Sequence, residues 1–147
     1  MATIDYEKDV ILWSQEQAAL LRAGRFSQLD IEHLADEIED VGKSEKREVA
    51  NRMAVLLAHL LKWQCQPERR GRSWETTIKT RRRSLAIALA RTPSLKSAMR
   101  EADWQATAWA DAVDQAIRET GLDVDFGDTC PWTTDRVLSV EFWPEAV

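Results

Sequence analysis

The chain has little of what loop-dominated, cross-linked or membrane-spanning proteins require. Its five glycines and four prolines in 147 residues are too few for the many turns of an all-β protein. Its two cysteines, Cys65 and Cys130, exclude a disulfide scaffold and a four-cysteine zinc site, and we expect both to be reduced thiols in a cytoplasmic protein. No run approaches the roughly 18 apolar residues of a membrane span, and the chain opens without a basic and apolar leader. We therefore expect neither a membrane partner nor secretion.

Apolar and charged residues are balanced as in a soluble globular protein. Hydrophobic residues make up 44% of the chain and charged residues 31%, and this length is sufficient for one core. Seven tryptophans are present beside three phenylalanines and one tyrosine. Because tryptophan is a strong anchor of cores and interfaces, this usage indicates a well-built core, a binding surface or both.

Apolar residues recur at helical spacing through most of the chain, which predicts an all-α fold. We predict a single domain over residues 1–147, built as a compact five-helix bundle with an irregular aromatic tail wrapping it. A capping box from Ser27 to Asp30, with a hydrophobic staple of Phe26 and Ile31, opens the second helix, and Gly42 either ends that helix or forms a weak joint before the third. The predicted segments are helices at about 5–22, 28–41, 44–64, 74–90 and 94–120, and a tail at 122–147.

Several segments, in this order, resemble a known bacterial family, domain-of-unknown-function family twenty-nine. They are LADEIEDVGKSEKRE at 34–48, LLAHLLKWQ at 56–64, QPERR at 66–70, PSLK at 93–96, CPWT at 130–133 and FWPE at 142–145. The resemblance covers nearly the whole chain and implies a small all-α bacterial domain. It implies no activity.

His59 is the first polar candidate, because it lies outside the leucine stripe of the third predicted helix. It shares a stripe with Glu45 and Arg52, and Glu37 or Glu39 of the preceding helix could pair with it. We expect a structural histidine–carboxylate pair, with Glu37 as the preferred partner. The alternative is an enzyme or metal site around Glu37, Glu39 and His59.

Arg81 is the second polar candidate, since it lies in line with Trp74, Ile78 and Leu85 on the fourth predicted helix. A guanidinium on an apolar face must find carboxylates or carbonyls. We therefore predict that Arg81 is buried and clamps an acid of the second helix, Glu37 or Glu39. An anion-binding role is the alternative.

Charge is segregated along the chain. Residues 1–45 have net charge −7, residues 46–100 net +11 and residues 101–147 net −9. The basic cluster within residues 69–83 is a candidate site for nucleic acid or another anion, although the acidic balance of the whole chain makes nucleic-acid binding an unfavoured alternative. Besides Arg81, the cluster contains Arg69, Arg70, Arg72, Lys79, Arg82 and Arg83.

Trp104 points away from the apolar stripe of the fifth predicted helix. Either the aromatic tail packs over it, or it is an exposed anchor for a partner.

No glycine-rich phosphate loop, His-Glu-x-x-His pair or nucleophile elbow is present. We therefore expect no catalytic residue, no metal and no cofactor, and we predict a non-enzymatic helical interaction or regulatory module. Its partner would be another protein or a second copy of the chain.

Overall fold

The computed structural model describes residues 3–147, and in this part of the chain the fold is all-α. Helices account for 70% of the residues and no strand occurs among those described, which confirms the predicted fold class. The described residues form six α-helices, four of them longer than one or two turns. Their bounds are Val10–Arg22 (α1), Ile31–Cys65 (α2), Arg72–Arg91 (α3), Leu95–Ala98 (α4), Ala102–Thr120 (α5) and Thr134–Leu138 (α6).

One long helix replaces the second and third predicted helices. Gly42 lies inside α2, it has no positive φ, and a Cβ at this position would meet nothing within 4 Å. A glycine in a helix interior costs only about 1 kcal/mol relative to alanine. Good helix formers follow it from Lys43 to Glu48, so the helix continues and the predicted break is wrong.

Two aspartates, Asp9 and Asp30, cap the N-termini of the first two helices in place of the predicted residues. Asp9 accepts a hydrogen bond from Leu12 N at 3.0 Å, and α1 therefore begins at Val10 rather than near residue 5. Asp30 accepts one from His33 N at 3.4 Å, whereas Ser27 lies in a short 3-10 turn. The predicted capping box at Ser27 is wrong, and so is the staple, because Phe26 and Ile31 are both exposed.

The fifth predicted helix is broken into α4 and α5. Glu101 has an extended backbone between them, with φ −67° and ψ 131°, and the side chain of Gln105 donates to the Met99 carbonyl at 2.9 Å. The break lets each segment bury its own apolar side, since α4 and the turn after it bury Leu95 and Met99. The predicted helix end at Gly121 is confirmed by its left-handed φ of 70°.

The chain divides into two compact units, and the boundary at Glu45 and Lys46 falls within α2. The second unit holds the apolar core, in which Leu56, Leu60, Ile78 and Leu85 are fully buried. Seven residues of the segment that follows Gly121 also pack in or against this core, namely Phe126, Cys130, Trp132, Val137, Leu138, Phe142 and Trp143.

Candidate functional site

The first unit is held together by a cluster of polar and aromatic side chains. Glu37 accepts a hydrogen bond from the Tyr6 hydroxyl. The Tyr6 ring stacks on His33 with 4.1 Å between centroids, and His33 Nδ1 lies 2.7 Å from Asp30 Oδ2. The same Asp30 oxygen accepts from Trp13 Nε1 at 3.0 Å. The cluster thus ties α1 and the residues before it to the beginning of α2.

Three groups of this cluster, Tyr6, Asp30 and His33, have pKa values that their neighbours shift. The hydrogen bond to Glu37 raises the pKa of Tyr6 to about 12. Asp30 raises the pKa of His33. For Asp30 itself desolvation is the largest single effect and opposes ionisation, but the hydrogen bonds from His33 and Trp13 together outweigh it and lower the pKa. The bond between Asp30 and His33 therefore favours the ionised form of each group.

His33 was not among the sequence candidates, because its helical phase lies away from the predicted apolar stripe. The signal that could have found it is Asp30 at the start of a helix with a histidine three residues later, since this spacing brings the two side chains together.

The first unit buries almost no apolar surface. Of its described residues only Trp13 and Gln17 are buried, and Gln17 Oε1 accepts from Asp30 N at 2.8 Å. The predicted stripe of α2 therefore faces outward, as Ile38 is 71% exposed. Eight large apolar side chains of this unit are exposed: Val10, Ile11, Leu12, Leu21, Phe26, Ile31, Ile38 and Val41.

His59 pairs with no carboxylate among residues 3–147. Its Nδ1 lies 2.8 Å from the Val55 carbonyl, one turn earlier on α2, and burial lowers its pKa. Glu37 instead accepts a hydrogen bond from the Tyr6 hydroxyl. The predicted pair is therefore wrong, because each of the two residues has another partner.

The other predicted members of this network are also separate. Arg52 pairs with Glu48 and donates to Ser84 Oγ at 3.0 Å. Glu39 and Glu45 are exposed, and neither forms an ion pair within the described part of the chain.

The buried arginine is Arg82, not Arg81. Arg82 is 3% exposed and donates from Nε to the Val137 carbonyl at 2.9 Å and from Nη2 to the Phe142 carbonyl at 2.5 Å. Its guanidinium carbon lies 5.4 Å from the centroid of the Trp143 ring. The prediction for Arg81 is wrong because Arg82 shares the buried side of α3 with Ile78 and Leu85. Its Nε and Nη2 donate to backbone carbonyls rather than to a carboxylate.

The basic cluster is only partly available to an anion. Arg70 donates to the Trp63 carbonyl at 2.6 Å, Arg82 is buried, and Lys79 pairs with Glu75 at 2.7 Å. Three arginines of the cluster are exposed and form no ion pair within residues 3–147: Arg69, Arg72 and Arg83.

Trp104 packs partly buried against the core of the second unit, and its Nε1 donates to the Lys46 carbonyl at 3.0 Å. It also lines a cleft of about 410 Å³ between α5 and residues 128–137, with Met53 and Leu57 at its base. Cys130 lines the same cleft, and burial raises the pKa of its thiol, as it does for Cys65.

Within residues 3–147 no group of three histidine, cysteine or acidic side chains is arranged to hold a metal ion. None of the helices there is both long and apolar enough to cross a membrane.

Comparison with known proteins gives one match. No curated protein and no solved structure matches the chain significantly. A family model matches residues 6–143, and this range includes the clusters and the cleft described above. The chain belongs to this family, the domain of unknown function DUF29.

Proposed function

We propose that the chain is a protein-interaction module of the bacterial cytoplasm, and that its first unit binds a basic amphipathic helix of a partner protein. The observation that supports this is the exposure of apolar side chains in the first unit. Among residues 3–45 one large apolar side chain, Trp13, is buried, and eight are exposed. A surface of this kind is typical of a binding site.

The exposed side chains supply enough energy for a specific but modest complex. Fully burying one large apolar side chain is worth about 1.5–3 kcal/mol. These eight are already partly covered, so we take about 1 kcal/mol for each, or about 8 kcal/mol in all if every one is buried. Association costs are of similar size. Binding through this surface therefore requires complementary charge as well as apolar contact.

The charge of the first unit selects the partner. Residues 1–45 have net charge −7, and on α2 the exposed Ile31 and Ile38 are neighboured by Glu32 and Glu39 on the next helical row. A partner helix with an apolar stripe and basic flanks would bury the isoleucines and pair with the acids. Self-association through the same surface is the less favoured alternative, because it would oppose two surfaces of charge −7.

In this proposal the second unit is a stable scaffold. The segment after Gly121 wraps it as an integral cover, a role supported by the contacts of Trp132, Phe142 and Trp143 with the core.

The other two classes of function have less support. Nucleic-acid binding would depend on a basic cluster in which Arg70 and Arg82 already donate to backbone carbonyls. An enzyme around Glu37, Glu39 and His59 would depend on side chains that already have other partners, since Glu37 accepts from the Tyr6 hydroxyl and His59 Nδ1 lies 2.8 Å from the Val55 carbonyl.

The experiment is affinity capture with matched variants from cells that naturally produce the protein. The double variant Ile31→Ser, Ile38→Ser removes apolar surface from the first unit, and Ile87→Ser is the control because Ile87 is also exposed but lies on α3. Mass spectrometry compares what co-elutes with each. We expect one basic protein with the native chain and the control, and its loss from the double variant and at high salt. Equal recovery with all three chains would overturn the proposal.

A further inference from the structure

The cleft of the second unit has a different chemistry from the surface of the first. We propose that it binds a trimethylammonium group, carried either by a small molecule or by a methylated lysine side chain. The inference does not depend on the function proposed above.

Three tryptophans line the cleft: Trp104, Trp109 and Trp132. The rings of Trp109 and Trp132 are perpendicular, at 89°, with centroids 6.5 Å apart. The indole N–H groups of Trp104 and Trp109 are already bonded to the carbonyls of Lys46 and Gly127, each at 3.0 Å. These bonds fix two of the rings. Because Trp109 is 2% exposed, the aromatic surface that is open to a ligand belongs to the partly buried Trp104 and Trp132. Aromatic rings arranged around a space bind quaternary ammonium ions through cation–π attraction.

The charge of the cleft has the sign that a cation requires. Asp128 is the one acidic side chain that lines it, and no lysine or arginine does. Cys130, which also lines it, has a thiol whose burial favours the neutral form. The surrounding residues 101–147 have net charge −9. An anion would therefore be repelled. A neutral apolar ligand would make apolar contacts in the cleft but would gain no electrostatic attraction.

The size of the cleft is also suitable. A volume of about 410 Å³ lies in the range of small-ligand sites, roughly 300–1,000 Å³. It exceeds what one trimethylammonium group fills, so the chain that carries the group can enter as well. Met53 and Leu57 at the base offer methyl groups only apolar contact.

The test compares choline with 3,3-dimethyl-1-butanol, its neutral analogue in which carbon replaces the charged nitrogen. Binding to the whole chain is followed by the NMR signals of the indole N–H groups. We expect choline to shift the signals of the cleft tryptophans and to bind at least tenfold more tightly than the neutral analogue. Equal affinities would show an apolar pocket without cation recognition, and absence of shifts with choline would show no site. Either result overturns the proposal.

Variants assign the effect to the cleft. Asp128→Asn should weaken choline binding several-fold and leave the neutral analogue unaffected, while Asp123→Asn, in the same acidic segment but outside the cleft lining, should change neither. Trp104→Leu should weaken choline binding about tenfold, and Trp132→Leu is the second aromatic variant if the first does not fold. A choline affinity unchanged by Asp128→Asn and by the folded tryptophan variant would overturn the proposal.

A further titration distinguishes the two sources of the group. A peptide with trimethyllysine that binds more tightly than both choline and the unmodified peptide would identify a protein side chain as the ligand. Tighter binding of choline would identify a small molecule. Equal binding of the methylated and unmodified peptides, together with no preference for choline over its neutral analogue, would overturn the proposal.

Discussion

Replacing Arg82 with alanine should destabilise the protein far more than replacing Arg81 or Arg83. Arg82 is 3% exposed and donates to the carbonyls of Val137 and Phe142. A hydrogen bond from a charged donor contributes about 1.5–3 kcal/mol, so the two together are worth about 3–6 kcal/mol. Its Nη1 is buried without a partner among the described residues, and this desolvation offsets part of the gain. We therefore expect a loss of about 3–4 kcal/mol.

Urea unfolding followed by far-UV circular dichroism measures this loss. Arg81→Ala and Arg83→Ala are the matched controls, and each should change the free energy of unfolding by no more than about 0.5 kcal/mol. Arg82→Lys keeps the charge but lacks the planar fork that reaches two carbonyls, so it should remain clearly destabilised. Equal effects at the three positions would refute the assignment of Arg82 as the buried arginine.

Three further predictions follow from the described contacts. The His33 pKa, measured by NMR titration, should lie above its usual 6.5 and fall toward it in Asp30→Asn. The pKa of His33 is raised and the pKa of Asp30 is lowered, so the contribution of the pair to stability is complete between pH 3.8 and pH 6.5, the usual pKa values of the two groups. This contribution is lost as pH rises through the His33 pKa and as pH falls below 3.8. A His33 pKa at or below 6.5 would contradict the pair. Gly42→Ala should stabilise the chain by about 0.5–1 kcal/mol in chemical unfolding, whereas destabilisation would show that residue 42 is not in a helix interior. Mixed-sequence DNA or RNA should bind no more tightly than about micromolar at physiological salt. For three or four phosphate contacts, the logarithm of the binding constant should fall against the logarithm of the salt concentration with a slope of roughly −3 to −4. Tight binding in fluorescence anisotropy that is lost when Arg69 and Arg72 become glutamate would contradict this prediction.

Helix content and the apolar core of the second unit could be predicted from the sequence, because both depend on the spacing of apolar residues. Leu56, Leu57, Leu60 and Leu61 were placed together by helical periodicity, and all four are buried. The end of α5 at Gly121 followed from the conformational freedom of glycine.

Two of the errors occur where two nearby positions satisfy the same pattern. Arg81 and Arg82 both lie within one turn of Ile78 and Leu85, and only tertiary packing decides which of them is buried. Ser27 and Asp30 are both good N-caps, and the 3-10 turn at Phe26–Gln28 gives the role to Asp30.

The polar cluster of the first unit could not be predicted from periodicity. It depends on Tyr6, Trp13 and His33 meeting across separate segments, and no helical stripe relates them. The same cluster explains why the apolar stripe of α2 is not needed to hold the unit together.

The most direct test of the proposed function is native-state hydrogen exchange, which reports the opening free energy of each backbone amide. Among residues 3–45 only Trp13 and Gln17 are buried, so the amides of α1 and of residues 31–41 should open at much lower free energy than those around Leu56 and Leu60. The basic partner captured through Ile31 and Ile38 should raise the protection of these amides specifically. Protection of the first unit equal to that of the core in the free chain, or unchanged by the partner, would contradict the assignment of this unit as the binding surface.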